Sequence, residues 1–326
     1  MKKSVGIVGL GMYLPEKVMT NLDLSKMVDT SDEWITTRTG IKERRIADPS
    51  QSTSDLAAEA AKEAIKDAKM DASEIELLII CTISPDRLMP ATACIVQNKI
   101  GAKNAACFDL SAACAGFIFG ITCAKSMIQS GLYKNALVIG ADVLSKFVDW
   151  KDRSTCVLFG DGAGAVVLKE SKACEIVSTY LGNDGLVWDL LQIPAGGSSL
   201  PASHETVDQG LHYIKMQGNE LFKVAVTRMI EAAKKVLADN NMTSGDVDLL
   251  IPHQANQRII DATTKRLNIP DEKVFINLTK YGNMSSAASV VALVEAVKEK
   301  KVKTGDNIVM VAFGGGLAWG SALIKW

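Results

Sequence analysis

The residue best suited to nucleophilic chemistry in this sequence is Cys114, in the segment FDLSAACAGF at positions 108–117. A strand is predicted to end just before it, small residues predict a tight turn, and a predicted helix runs from about Cys114 to Gly131. A thiol at a helix N-terminus meets the positive end of the helix dipole, so we expect a lowered pKa and a reactive thiolate. The alternative interpretation is a cysteine that packs as a small hydrophobic residue, because the surroundings of Cys107 and Cys123 are equally apolar.

Two polar residues follow predicted strands in the second half of the chain. His253 comes just after the apolar segment 247–251, a natural position for a catalytic imidazole. The alternative is a core histidine whose hydrogen bonds are satisfied internally. Asn283 opens a helix predicted to end near Lys298, and there the alternative is a plain helix N-cap.

Consecutive glycines follow a further predicted strand, in the segment FGGGLAWG at 313–320. Glycines let backbone N–H groups approach a ligand closely, which suits an oxyanion hole. The alternative is a tight turn between two strands. An earlier glycine pair, at 9 and 11, begins like a dinucleotide-binding fingerprint, but Leu14 and Pro15 occupy the positions where a third glycine and a helix are required. We therefore exclude that function.

An internal repeat predicts the elements that position these residues. The segments AAKEAIKDAKMDASEIELLII, starting at residue 60, and AAKKVLADNNMTSGDVDLLIP, starting at residue 232, align without a gap at an offset of 172 residues. The same offset pairs NALVIG at 135–140 with NIVMVA at 307–312. A single repeat of this size indicates duplication of a half-chain unit.

Each unit has the pattern of an amphipathic helix, a polar turn and a buried apolar strand, followed by a further strand, helix and strand. Continuous apolar strands between helices predict an α/β fold with a sheet covered on both faces. Two related units predict a duplicated, five-layered αβαβα core, divided into residues 1–172, which hold the cysteine, and 173–326, which hold the histidine and asparagine. Polar insertions at roughly 15–55 and 180–215 are expected to cap one end. In such sheets, reactive groups gather beyond the carboxyl ends of the strands.

Composition excludes several classes of partner. The chain has 326 residues, of which 48% are hydrophobic and 22% charged, and its formal net charge of -1 provides no overall attraction to nucleic acid or to an anionic membrane. Seven cysteines without metal-ligand spacing predict no metal site and a reducing, cytoplasmic environment. The apolar stretch after Lys3 contains several glycines and stops at Pro15, so we expect no signal peptide. The nearly uncharged run at 110–124 is shorter than the ~18–20 residues that span a bilayer.

Taken together, the motifs resemble β-ketoacyl-acyl carrier protein synthase III, a family of thiolase-fold condensing enzymes. The similarity extends from Leu14 to Trp326. The segments that carry it are TSDEWITTRTG at 30–40, the Cys114 segment, FGDGAG at 159–164, HQAN at 253–256, GN at 282–283 and FGGG at 313–316. A degradative thiolase would carry a second cysteine in the last glycine segment, which has none here. Elongating synthases use two histidines, whereas position 283 here is asparagine.

The resemblance implies the roles of the reactive residues. Cys114 accepts the primer acyl group from an acyl-CoA, such as acetyl-CoA or a short or branched one. His253 and Asn283 hydrogen-bond the malonyl thioester carbonyl of malonyl-acyl carrier protein and stabilise the enolate formed on decarboxylation. The backbone N–H groups of Cys114 and Gly315 hold the tetrahedral oxyanion. No cofactor or metal is implied, because both thioesters are substrates.

The resemblance also implies a substrate channel. Trp34 and Arg153 sandwich the CoA adenine, and Phe313 belongs to the substrate-binding set. The residues implied to line the pantetheine channel are Thr30, Arg38, Phe222, Ala255, Asn256 and Ile259. Ser154 departs from the family, whose members often have glycine beside the adenine-stacking arginine.

Two partners are expected. One is acyl carrier protein, docked on Arg258, Lys265 and Arg266, which helical periodicity places on one face near the channel mouth. The alternative for these three is a solvated helix face. The other partner is a second copy of the chain in a homodimer, with Met89 reaching across to form the floor of the primer pocket.

The function predicted is therefore the condensation that initiates fatty acid synthesis. One runner-up is a related acyltransferase or hydrolase that loads Cys114 but does not decarboxylate malonyl groups. Another is a related thiolase-fold acyltransferase of a secondary-metabolite pathway. A catalytically silent subunit on the same fold is the non-enzymatic alternative, but such a subunit is expected to lack the thiol.

Overall fold

The computed structural model describes residues 3–326, in which thirteen strands and ten α-helices form. The strands are β1 (Val5–Tyr13), β2 (Lys17–Thr20), β3 (Glu43–Ile46), β4 (Leu77–Cys81), β5 (Ala106–Leu110), β6 (Asn135–Val143), β7 (Asp161–Glu170), β8 (Glu175–Asn183), β9 (Leu191–Gln192), β10 (Lys215–Met216), β11 (Leu249–Pro252), β12 (Asn307–Gly314) and β13 (Ala318–Lys325). The helices are α1 (Asn21–Leu24), α2 (Asp32–Thr39), α3 (Thr53–Asp67), α4 (Thr92–Ile100), α5 (Gly116–Gln129), α6 (His204–Asp208), α7 (Gly218–Ala238), α8 (Gln257–Leu267), α9 (Leu278–Tyr281) and α10 (Ser286–Lys298).

The main sheet repeats one topology twice. Nine strands of the described chain are hydrogen-bonded in the order β11-β12-β13-β8-β1-β7-β6-β4-β5. From the middle outward, β1-β7-β6 run antiparallel and then β4 and β5 join in parallel. On the other side, β8-β13-β12 are antiparallel and β11 is parallel, with Val274 bridged in parallel to Leu250 where a fifth strand would lie. The two sets meet where β1 lies antiparallel to β8, with Gly6 paired to Glu175. The predicted duplication is confirmed.

Three buried clusters define the five layers. The first packs α3 and α4 against the outer face of the first strand set, and the second packs α7 and α8 against the outer face of the other. The largest cluster lies between the two strand sets and contains the apolar side chains of α5 and α10. The αβαβα fold is thus present. The predicted division after residue 172 falls in the link between β7 and β8, and it remains a prediction.

Local sequence explains the close packing of these layers. Helix α3 begins with a capping box in which Asp55 Oδ2 accepts from the backbone N–H of Ser52 at 2.7 Å. Its alanines allow it to lie directly on β1, where Gly9 and Gly11 face the helix backbone and any Cβ would collide with it. Within residues 3–326, no helix combines the length and the apolarity needed to cross a membrane.

Two predicted element bounds require correction. The helix expected from Cys114 begins instead at Gly116, after a 3₁₀ turn at Ala113–Ala115, because Ala113 has a left-handed φ of 45° that an α-helix does not continue through. The strand expected at 247–251 begins at Leu249, because a 3₁₀ turn at Ser244–Asp246 precedes it.

The contact of β6 with α10 yields a stability prediction. A Cβ at Gly140 would lie 2.7 Å from the carbonyl oxygen of Ser286, and both are backbone positions that cannot move independently. We expect Gly140→Ala to lower the free energy of unfolding by about 1–3 kcal/mol, the usual effect of overpacking a core. Urea unfolding measures the change. Gly185→Ala is the matched control, because the space around Gly185 is open; equal stability of the two variants would contradict the prediction.

Candidate active site

Three side chains far apart in the sequence meet at one cavity. Cys114, His253 and Asn283 all line a cleft of about 420 Å³. Cys114 follows β5, His253 follows β11, and Asn283 follows α9 in the turn that leads into α10. The carboxyl ends of the parallel strands thus bring the thiol and the imidazole together, as the position rule for α/β sheets predicts.

Cys114 is held in a buried turn. It is 5% exposed, and Gly314 lies so close that a Cβ there would be 2.5 Å from the Cys114 backbone nitrogen. Burial raises the pKa of the Cys114 thiol to about 12, against the hydrogen-bonding effects of Ser285 and Asn283, which lower it. The expected lowering of this pKa is therefore wrong, because desolvation outweighs the dipole of a helix that begins two residues later.

His253 is a neutral, unpartnered imidazole. The side chain is buried, and neither ring nitrogen has a hydrogen-bond partner among residues 3–326. Its backbone N–H donates to the Val311 carbonyl at 2.7 Å, which fixes the residue at the end of β11 beside β12. Burial lowers the pKa of His253 to about 4. A core histidine would have its hydrogen bonds satisfied, so the free ring nitrogens favour a ligand-binding role.

Asn283 is oriented by its neighbours in the turn before α10. Its backbone N–H donates to the Leu158 carbonyl at 2.8 Å, and its Oδ1 accepts from the Ser285 backbone N–H at 2.9 Å. The amide nitrogen is therefore the group left for the cavity, where the side chain acts on the Cys114 thiol. Ser285, not Asn283, is the N-cap residue of α10, so the simple helix-cap interpretation of Asn283 is wrong.

A second cavity lies on the other side of Cys114. It also measures about 420 Å³, and its wall includes Cys114, Ser285 and Gly315. Most of the remaining lining is apolar and was not anticipated from the sequence: Ile83, Leu110, Phe119, Leu144, Leu191, Ile193 and Ile214. Leu110 and Phe119 flank the cysteine in sequence and were identifiable by that proximity. The others come from segments distant in sequence and carry no motif.

The far end of the first cavity is cationic and aromatic. Two guanidinium groups lie near the Trp34 ring, with Arg38 Cζ 4.9 Å and Arg153 Cζ 5.1 Å from the ring centroid. Arg153 Nη1 also donates to the Asp29 carbonyl at 2.9 Å. Such an arrangement offers a planar ligand a stacking surface.

The other predicted channel residues are distributed unevenly. Phe222, Ala255, Asn256, Ile259 and Phe313 line the first cavity, as does Ser154. The Asn256 side chain also caps α8, its Oδ1 accepting from the Arg258 backbone N–H at 2.9 Å. Thr30 lies outside the lining, next to Ser31, the N-cap residue of α2.

Met89 lines neither cavity and is 84% exposed. Met89 is expected to reach the primer pocket of a second copy, so its role there stays a prediction.

The three predicted docking residues do not form one cluster. Arg258 lines the first cavity, with its guanidinium 5.8 Å from the Phe222 ring centroid. Lys265 and Arg266 are exposed in the last turn of α8, about 10 Å further along the helix at 1.5 Å per residue. Helical periodicity thus places the three residues on one face of α8, but Lys265 and Arg266 lie farther from the channel mouth than Arg258.

The neutral state of His253 predicts a pH effect on stability. An imidazole in the unfolded chain titrates near its usual pKa of 6.5, whereas the folded state resists protonation until about pH 4. As pH falls, the unfolded chain therefore binds a proton first, and the folded state loses about 2 kcal/mol between pH 7 and pH 5 from this residue. His253→Gln should remove that part of the loss in urea unfolding at the two pH values. His204→Gln, a change at an exposed histidine, should retain the parental slope.

Comparisons with known proteins agree with this geometry. Residues 108–185 match the family described as 3-oxoacyl-[acyl-carrier-protein (ACP)] synthase III, and residues 237–326 match its C-terminal part. The chain is 56% identical to the β-ketoacyl-[acyl-carrier-protein] synthase III of Caldanaerobacter subterraneus subsp. tengcongensis, over 100% of this chain and 98% of the relative. It is 54% identical to the protein of the same name from Clostridioides difficile, over 100% and 99% of the two chains.

Solved structures show the same fold. The crystal structure of 3-oxoacyl-[acyl-carrier-protein] synthase III from Aquifex aeolicus VF5 matches with a TM-score of 0.91 and 51% identity, covering 99% of this chain and 100% of that one. The priming β-ketosynthase from the R1128 polyketide biosynthetic pathway matches with a TM-score of 0.91 and 33% identity, covering 99% and 96%. The family predicted from the motifs is confirmed. The chain belongs to the β-ketoacyl-[acyl-carrier-protein] synthase III family of thiolase-fold condensing acyltransferases.

Proposed function

We propose that this enzyme joins an acyl-CoA primer to malonyl-acyl carrier protein by decarboxylative Claisen condensation, with Cys114 as the acyl carrier. The observation that carries the proposal is the position of Cys114 where two cavities meet, with His253 and Asn283 beside it in the first. The relatives more than 50% identical support the fatty acid pathway; the secondary-metabolite alternative is less supported.

In the first half-reaction, the Cys114 sulfur attacks the primer thioester. A C–S bond forms to Cys114, negative charge develops on the carbonyl oxygen, and the CoA thiolate leaves. We assign the backbone N–H groups of Cys114 and Gly315 as the oxyanion donors. Gly314 supports this assignment, because it allows the glycine turn to approach the nucleophile closely. The apolar second cavity is the natural space for the acyl chain.

In the second half-reaction, His253 and Asn283 act on the malonyl thioester. Loss of CO2 places negative charge on the thioester carbonyl oxygen, and two neutral hydrogen-bond donors stabilise it there. Burial keeps His253 neutral at physiological pH, since its pKa is near 4. A neutral imidazole stabilises the enolate without protonating its carbon, so the carbanion is preserved for attack on the acyl-cysteine.

The first cavity is the proposed route for the pantetheine arm. Trp34 and Arg153 would offer stacking surfaces for the CoA adenine, with Arg38 near the same ring. Phe222, Ala255, Asn256, Ile259 and Phe313 would line the arm. Thr30 lies outside this lining.

We also propose a homodimer. Strand β5 lies at one edge of the nine-stranded sheet, so within the described chain its outer edge has no partner strand. Its residues 107–110 are only half-buried. Nearby, Leu88 is 86% exposed and Met89 is 84% exposed. A second copy on this edge would cover both and bring Met89 toward the primer pocket. The flexible methionine would accommodate primers of four carbons or branched primers. The seven free cysteines suit a reducing, cytoplasmic environment.

Separate variants should divide the two half-reactions. Cys114→Ala should abolish covalent acylation and condensation but still release CO2 from malonyl-acyl carrier protein. Asn283→Ala should retain substantial acylation and lose decarboxylation by about 10²–10³, the effect of deleting one oxyanion-type donor. His253→Ala should behave like Asn283→Ala. Intact mass spectrometry measures acylation, and labelled CO2 measures decarboxylation.

Cys123→Ala is the matched control for the thiol, since Cys123 is a half-buried cysteine on α5 that lines neither cavity. It should leave both half-reactions at parental rates. An Asn283 variant that loads poorly and decarboxylates normally would overturn the assignment.

Carrier-protein docking should respond to the exposed end of α8. The double change Lys265→Glu with Arg266→Glu should raise the KM for malonyl-acyl carrier protein several-fold, because the carrier is acidic in this proposal, and should spare acyl transfer from CoA. Arg258→Glu should impair both half-reactions, because Arg258 lines the channel itself. Lys300→Glu with Lys301→Glu, also exposed, is the matched control; an equal rise in KM there would show a non-specific charge effect.

A further inference from the structure

One buried amide joins the two turns that carry His253 and Asn283. Gln254 follows His253 directly in sequence, and its side chain is fully buried. It lines neither cavity, so it is not placed to touch a substrate there. Its two donor positions and its two acceptor positions are all used within the described chain, and every partner is a backbone group. The whole hydrogen-bonding capacity of this side chain therefore serves the neighbouring backbone.

On one side, Gln254 fixes the peptide group that precedes the imidazole. Its Nε2 donates to the Pro252 carbonyl oxygen at 2.7 Å. That oxygen belongs to the planar peptide group that joins Pro252 to His253, and the N–H of the same group donates to the Val311 carbonyl at 2.7 Å. The peptide group is held at both edges, by Gln254 and by β12. The direction in which the His253 side chain leaves the backbone is therefore fixed.

On the other side, Gln254 anchors the short helix that leads to the asparagine. Its Oε1 accepts from the N–H groups of Asn277 at 3.0 Å and Leu278 at 3.1 Å, at the start of α9. The Leu278 carbonyl in turn accepts from the Gly282 N–H at 2.9 Å, and Asn283 is the next residue. One turn of helix thus connects the amide of Gln254 with the turn that holds Asn283.

This link takes the place of strand pairing that the first half of the chain has. There, β5 pairs with β4 along its whole length and leads to Cys114. In the second half, the corresponding segment is joined to β11 by the bridge of Val274 to Leu250 and by a hydrogen bond from the Phe275 N–H to the Leu250 carbonyl at 2.9 Å. Gln254 Nε2 donates to the Phe275 carbonyl at 3.2 Å. A side chain thus continues the connection where backbone pairing stops.

We propose that Gln254 is a positioning residue for decarboxylation, which sets the spacing of His253 and Asn283 so that both donate to one thioester carbonyl oxygen. This inference rests on the proposed function of that pair. The two side chains belong to separate segments, and a donor displaced by about 1 Å loses much of its effect on the developing charge. A single buried amide that holds both segments fixes their spacing before the substrate arrives.

Acyl loading should not depend on this amide. Cys114 is held by the pairing of β5 with β4 and by the close approach of Gly314. The hydrogen bonds of Gln254 reach neither of these segments. Removal of the amide should therefore separate the two half-reactions, because decarboxylation is lost while acylation of Cys114 is retained.

The test uses the full-length enzyme and two variants of Gln254. Gln254→Met keeps the length of the side chain and removes all four hydrogen bonds. Gln254→Glu keeps an acceptor for the N–H groups of α9 but removes the donor to the Pro252 carbonyl. Urea unfolding checks the fold of each variant, and Gln254→Glu carries the same test if Gln254→Met does not fold.

Asn135→Leu is the matched control, because it removes another buried amide that ties a strand to a backbone turn. Asn135 Oδ1 accepts from the Glu76 N–H at 3.0 Å, and Nδ2 donates to the Glu74 carbonyl at 2.9 Å. Asn135 lines neither cavity. This variant should be less stable than the parent but should retain both half-reactions at parental rates.

The first measurement is the release of labelled CO2 from malonyl-acyl carrier protein. Both Gln254 variants should lower kcat by about 10–10²-fold, the loss expected from misplaced donors. Their KM should change by less than about threefold, because the donors act on charge that develops only in the transition state. Acylation of Cys114, followed by intact mass spectrometry, should proceed at the parental rate.

The second measurement is a double-mutant cycle with Asn283→Ala. A residue that aligns two donors has nothing to align once one of them is removed. The Gln254 change should therefore lower the decarboxylation rate of Asn283→Ala by less than about threefold, although it lowers the parental rate far more. A merely structural role would produce the same loss in both backgrounds.

Three results would overturn the inference: a parental kcat in the folded Gln254 variants, an equal loss of acylation and decarboxylation, and additive losses in the cycle. The proposed function fails by a different result, since Asn283→Ala alone would then decarboxylate at the parental rate. A slow Asn283→Ala variant beside a fast Gln254→Met variant would refute the positioning role and leave the proposed function intact.

Discussion

The first turn of α10 lies against the carboxyl ends of β4 and β6, and this contact between the two halves fixes the geometry of the reaction centre. Gly140 allows the approach, and Ser286 Oγ donates to the Cys81 carbonyl at 2.5 Å. The turn that leads into this helix carries Asn283 and Ser285. Their positions relative to Cys114 are therefore set by packing between strands and helices rather than by a flexible loop.

The duplication explains how different groups came to face one another. At the offset of 172 residues, His253 occupies the position of Cys81, and Gly314 occupies that of Asp142. The strand that ends in a buried carboxyl group in the first half thus ends in a bare backbone in the second, which leaves room for Cys114. The two halves share a scaffold, but their strand ends have been given complementary chemistry.

Sequence reasoning identified the residues that meet at the site but not the environment they create. Repeats, strand ends and motifs were sufficient to bring Cys114, His253 and Asn283 together. The direction of the Cys114 pKa shift was wrong because desolvation depends on burial in the folded chain, where Gly314, 200 residues away in sequence, lies against Cys114. The wall of the second cavity was missed for the same reason: Ile193 and Ile214 belong to loops without local periodicity.

Distances along an element were also beyond the sequence. The spacing of Arg258 and Lys265 gave a common helix face, but only the folded chain shows that one contacts Phe222 at the channel and the other lies near the helix end. The positive φ of Ser285 could not be predicted from its residue type, because serine rarely adopts that conformation.

Both cavities border Cys114, and this affects the order in which the substrates can bind. In the proposed route, both thioester arms would enter by way of Trp34 and use the same cavity of about 420 Å³. The acyl group, by contrast, can remain behind in the apolar compartment after its arm withdraws. The acyl donor and the malonyl acceptor would then bind in the same passage one after the other. Steric exclusion rather than allostery would impose the order of binding.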